Sequence, residues 1–117
     1  MDIESFRAYC LSFPGVTEHF PFDENTLVFK VLGKMFALCD VENFASFNVK
    51  CDPEKAIELR ERYEQVIPGY HMSKVHWNTV RIEGEADDRL LESWIGDSYE
   101  LVVASLPKKL SSTLPSR

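Results

Sequence analysis

The sequence predicts a single α+β domain built around an antiparallel β-meander between about residues 26 and 82. Three observations predict it. Residues 26–31, 34–40 and 45–51 are strand-like runs separated only by short turn-forming segments. The last of these alternates strictly, as a one-sided antiparallel sheet requires. On either side of the runs, apolar side chains recur at helical spacing instead.

The first helix occupies residues 2–13. Asp2 can cap it, and Ile3, Phe6, Tyr9, Cys10 and Phe13 recur at helical spacing until Pro14-Gly15 stops it. Residues 16–22 are a connector or short edge strand carrying His19 and ending near Pro21. The strand TLVFKV sets Leu27, Phe29 and Val31 against Val28 and Lys30, and Leu32-Gly33 turns the chain. The strand KMFALCD alternates Met35, Ala37 and Cys39 against Phe36 and Leu38. Both its faces are apolar, which suits a central strand. After a turn at Val41-Glu42-Asn43, ASFNVKC points Phe47, Val49 and Cys51 inward and Ser46, Asn48 and Lys50 outward.

Asp52-Pro53-Glu54 starts a helix, with Asp as N-cap, Pro at the first helical position and an acid in the first turn. The helix runs to about Gln65, with Ala56, Leu59 and Tyr63 facing the core, and Pro68-Gly69 ends the unit. Residues 70–76 form a loop or one helical turn. Residues 77–83 return to strand, with Val80 and Ile82 on one face and Thr79 and Arg81 on the other. A helix over 87–95 carries Leu90, Leu91, Trp94 and Ile95 as its stripe; Gly96-Asp97 interrupts it, and a further helix runs from Tyr99 to about Leu106. Residues 1–110 make one domain, and 111–117 a short polar tail.

At 117 residues the chain can build a core without disulfides or a structural metal, and eight Phe, four Tyr and two Trp supply the apolar area. Three cysteines without a C-x-x-C pair argue for a reducing compartment, with Cys39 and Cys51 acting as small hydrophobes. The acidic N-terminus resembles no signal peptide and no apolar run is long enough to span a bilayer, so a cytoplasmic protein without membrane contact is expected.

A net charge of −6 repels phosphate unless the basic residues are segregated. Residues 1–25 hold one basic and five acidic groups, 26–82 eight and seven, 83–100 one and seven, and 101–117 three and none. The meander is therefore the near-neutral part of an acidic chain. Lys30, Lys50 and Arg81 share the outward phase of their strands, and Lys34 opens the second one. With Lys74, Lys108 and Lys109 they can form a basic surface, to which Trp77, Phe36 and Tyr70 add rings if exposed. Lysines on a solvent face also discourage edge pairing, the plainer account of them.

No catalytic constellation emerges. His71 and His76 stand five apart, on different faces of a helix or strand, and neither they nor His19 belong to a metal-binding motif. There is no G-x-S-x-G, and no cysteine lies in an electropositive setting. The paired acids Asp23-Glu24 and Asp87-Asp88 sit where carboxylates cap turns and helices. No cofactor and no enzymatic activity are expected.

Four runs in register carry a resemblance: FPGVTEHFPFDENTLVFKVLGKMFAL, FNVKCDPEKAIELRERY, PGYHMSKVHWNTVRIEG and SYELVVASLPKK. Across residues 6–109 the chain resembles the MmcQ/YjbR family of small bacterial proteins. The matching positions are Pro14, Gly15, Phe29, Lys30, Lys34, Phe36, Pro68, Lys74, His76, Trp77, Tyr99, Leu106 and Pro107. The resemblance implies a frataxin- or secretion-chaperone-like fold, its helices packed on one side of the sheet, and a DNA-binding role attributed to a double-wing-like arrangement of sheet and loops. It identifies no catalytic residue. On this reading Lys30, Lys34, Lys50, Lys74 and Arg81 contact phosphates, Lys108 and Lys109 assist, and Trp77 is a core anchor. The protein is expected to be a monomer. The acidic surface leaves open a protein-interaction or small-ligand module, with weak frataxin-like binding of iron by the acids of 83–100 as a variant.

Overall fold

The computed structural model describes residues 1–69 and 72–115. Its strands are β1 (Val16–His19), β2 (Thr26–Val31), β3 (Lys34–Asp40), β4 (Ser46–Lys50), β5 (Val66–Pro68) and β6 (Trp77–Arg81). They form one antiparallel sheet in the order β1-β2-β3-β4-β6-β5. The helices are α1 (Ile3–Leu11), α2 (Pro53–Arg62), α3 (Asp88–Ser105) and the short α4 (Lys108–Ser111).

The local signals act as expected. The Asp2 carboxylate accepts the Ser5 N–H and the Ser5 hydroxyl accepts the Asp2 N–H, a capping box that opens α1. Asp52 caps α2 with Pro53 at its first position. Leu32 (φ 47°) and Gly33 (φ 88°) are both left-handed, the conformation a two-residue hairpin needs to match strand twist. Phe6 and Cys10 of α1, Phe13 in the turn after it, and Leu91, Trp94, Ile95, Tyr99 and Val102 of α3 pack on Leu27, Phe29, Phe47, Val49, Val66 and Val80. That inner face is the core. The Phe6 ring stacks on Phe47 and meets Phe29 edge-on. All three cysteines are buried, and desolvation raises their thiols, Cys39 to about 12. No helix among the described residues is long and apolar enough to cross a membrane.

Three expectations need correction. The β3 strand does not alternate strictly. The register shifts between Phe29, opposite Ala37, and Lys30, opposite Met35, so Phe36 is an extra, bulged residue. The bulge turns Phe36 inward with Ala37 and Cys39, edge-on to Phe13 and Tyr99, and leaves Met35 and Leu38 outward. Ser98 of α3 supports this irregularity: its hydroxyl donates to the Phe36 carbonyl (2.5 Å) and accepts the Lys50 N–H (2.8 Å).

Second, α3 does not break at Gly96-Asp97. Gly in a helix costs about 1 kcal/mol, a cost offset by burial of Trp94, Ile95, Tyr99 and Val102 around it. A Cβ there would lie 3.8 Å from the Phe13 ring and 3.9 Å from the Tyr9 hydroxyl, ordinary contact distances, so these two rings pack over Gly96. Third, α2 ends at Arg62 rather than Gln65. Tyr63 is already extended, and residues 66–68 become an edge strand because Val66 pairs with Val80 over the core.

Candidate nucleic-acid interface

The outer face of the sheet is where the outward-phase cations lie, and the pairing register fixes their positions. Residues directly opposite on neighbouring strands project to the same side. One row across the face reads Thr17, Lys30, Met35, then Lys50 and Trp77. The middle row reads His19, Val28, Leu38, Asn48, Thr79 and Ile67. The far row reads Thr26 and Asp40, then Ser46 and Arg81. Side-chain bonds confirm the phase: Thr17 to His19, and the Thr79 hydroxyl to Asn48.

The rows differ in charge. Lys30 and Lys50 flank Met35, two strand spacings or about 10 Å apart across the sheet. Lys34 is exposed at the β2–β3 hairpin tip at the same end, where its pairing with core-facing Val31 sets it off the outer row, and Lys74 is exposed in the turn that leads into Trp77 there. Lys108 and Lys109 are exposed on α4, and the residues that follow bring Leu114 against Gly15 and Leu32 near that hairpin. Arg81 is the exception. It stands four residues along β6 from Trp77 and three strands from Lys30, roughly 20 Å away at ~3.3 Å per residue and ~4.8 Å per strand.

The turns at Arg81's end are acidic. They carry Asp23, Glu24, Asp40, Glu42 and Glu83, and Val41 N–H bonded to the Asn25 carbonyl ties two of them together. Asp23 accepts the Asn25 and Thr26 N–H groups and the Thr26 hydroxyl, which hold its carboxyl below the ordinary range. The outer face is therefore polar along the strand axis, basic at the hairpin end and acidic at the other.

Trp77 is 8% exposed and packs on Val28 and Leu38, with Met35 and Met72 against it, forming a second apolar cluster on the outer face. His76 is exposed, and its carbonyl accepts the Cys51 N–H. Phe36 is in the core, so it offers no ring to a ligand. Tyr70 and His71 lie outside the described residues. Among the described residues no three His, Cys, Asp or Glu side chains are grouped to hold a metal ion.

Sequence reasoning missed a cleft of about 1280 Å³ in the middle and acidic end of this face. Leu38, Asn48, Thr79 and Ile67 lie on its floor, Phe22 and Asp23 on one wall, and Met72 and Ser73 on the other. The outward Asn48 and Thr79 were its only sequence signal. Arg60 of α2 braces the second wall: its Nε donates to Asn78 Oδ1 (2.7 Å), and its terminal nitrogen donates to the Lys74 and Trp77 carbonyls.

An antiparallel six-stranded sheet with helices on one face and a charge-divided open face defines a small α+β domain of the kind the resemblance implies. The family model YjbR matches residues 11–101, and the chain belongs to that family. The Escherichia coli O157:H7 protein YbdF is 36% identical over 107 residues, 91% of this chain and 88% of its own. YjbR of Escherichia coli K12 is 32% identical over 110 residues, 93% of each chain. Both are described only as uncharacterized. A Deinococcus radiodurans protein with a DUF419 domain superposes with a TM-score of 0.88 at 37% identity, over 96% of this chain and 86% of that one. A Pseudomonas syringae protein gives 0.73 at 25% identity, over 86% and 98%.

Proposed function

We propose that this protein is a non-enzymatic nucleic-acid-binding module that takes the phosphate backbone of duplex DNA on the hairpin end of its outer sheet face. One observation carries the reading: Lys30, Lys34, Lys50 and Lys74 gather at one end, away from the acids of residues 23–25, 40–42 and 83. Segregation of this kind lets an acidic domain present a local positive field to a polyanion. Lys108 and Lys109 extend the footprint. Arg81 falls outside it.

Four to six neutralised phosphates give a slope of log K against log salt of roughly −3.6 to −5.4. Affinity for a fluorescent duplex should therefore drop roughly 10²- to 10³-fold between about 50 and 200 mM salt. Lys30→Gln and Lys50→Gln should each flatten the slope by about one. Arg81→Gln should leave it unchanged. A slope near zero, or a loss as large from Arg81→Gln as from Lys50→Gln, would refute the assignment.

A further inference from the structure

We infer that the cleft at the other end of the outer face is a docking site for a partner peptide segment bearing apolar and basic side chains. The inference is separate from DNA binding, because neither Lys30 nor Lys50 lines the cleft.

The cleft is wide enough for a peptide: at about 1280 Å³ it exceeds the roughly 300–1,000 Å³ of ordinary small-molecule sites. Leu38 forms a buried floor, Ile67, Met35 and Met72 are half-buried around it, and Phe22, 65% exposed, stands on the rim. An exposed phenylalanine beside a partly apolar floor offers a contact for an apolar side chain. The two methionines can repack around different apolar side chains, which suits a peptide more than a rigid ring system.

Charge selects the class of peptide. Among the described residues the lining carries Asp23, Asp40 and Glu83 against one cation, Arg81, and Glu24 and Glu42 stand in the adjoining turns. The Asp23 carboxyl is held ionised by its hydrogen bonds. The Asp40 carboxylate accepts the Glu42 and Asn43 N–H groups through one oxygen, Oδ1. A polyanion would meet net repulsion here, whereas lysine or arginine side chains flanking an apolar residue would meet attraction. Arg81 then opposes the occupant rather than anchoring it.

The test uses the full chain and three acetylated, amidated octapeptides: alternating lysine–leucine, glutamate–leucine and lysine–serine. Binding is followed by amide shifts in a ¹⁵N-labelled sample. The lysine–leucine peptide should saturate and move the amides of Leu38, Asn48, Thr79 and Ile82. The other two should bind at least about tenfold more weakly, since each lacks one half of the complementarity. Asp40→Asn combined with Glu83→Gln should weaken the lysine–leucine peptide several-fold, and asparagine can still cap the turn at position 40. Arg81→Gln should tighten it.

Equal or tighter binding of the glutamate–leucine peptide would overturn the inference, as would weakening by Arg81→Gln. So would lysine–leucine shifts confined to Lys30, Lys34 and Lys50.

Discussion

Ser98→Ala tests whether the β3 bulge depends on one hydroxyl. Ser98 is fully buried, and its oxygen serves two backbone groups at once, donating to the Phe36 carbonyl and accepting the Lys50 N–H. Alanine leaves both without that partner. An unsatisfied buried polar group costs about 1–3 kcal/mol, so two cost roughly 2–4 kcal/mol after partial relaxation. Alanine returns about 0.5 kcal/mol of helix propensity, leaving a net loss of about 1.5–3.5 kcal/mol. For a domain of this size, that lowers Tm by roughly 5–20 °C.

Urea unfolding followed through Trp77 and Trp94 fluorescence measures the loss directly. Ser93→Ala is the control, because that exposed hydroxyl bonds only to the Leu90 carbonyl of its own helix. Its effect should stay within about 0.5 kcal/mol. A Ser98→Ala loss below about 0.5 kcal/mol would refute the reasoning, since the bulge would then hold without Ser98.

Two further predictions concern the loop wall and pH. Arg60→Met keeps the packing of the stem but removes the donors to Asn78 Oδ1 and the Lys74 and Trp77 carbonyls. The amides of Trp77 and Gly69 should lose hydrogen-exchange protection while those of β2 keep theirs; unchanged protection would show that the loop holds without Arg60. Glu18 is held below its ordinary range chiefly by its hydrogen bond to Arg7, and Asp23 by the N–H groups of Asn25 and Thr26. A depressed carboxyl contributes stability above its unfolded pKa and loses it as pH falls through the folded value. Urea midpoints should therefore fall below about pH 4, where carboxylates ordinarily titrate. Arg7→Gln should make that fall shallower, and an identical pH profile would refute the Glu18 contribution.

Much of the local structure was legible because it depends on near neighbours. Asp2 and Ser5 lie three residues apart, Asp52 precedes Pro53, and Leu32-Gly33 can turn only by leaving the right-handed region. The outward phase of Lys30, Lys50 and Arg81 followed from alternation alone. The continuity of α3 did not: Gly96 reads as a break until the burial of Trp94, Ile95, Tyr99 and Val102 on both sides of it is known. The bulge was equally hidden, because the apolar residues of KMFALCD fit either phase, and only the inward pull of the Phe13 and Tyr99 rings places Phe36.

The sequence by itself determined the fold class, the caps, the turns and the face on which each strand cation projects. These follow from backbone preferences and from periodicity within a few residues. Only the tertiary structure decided which of those cations share an end. Strand order and register set Lys30 and Lys50 in one row and Arg81 among acids in another, and nothing in a single strand's pattern encodes its neighbour's offset. The cleft arose the same way, from loops distant in sequence that meet over a face whose center is apolar.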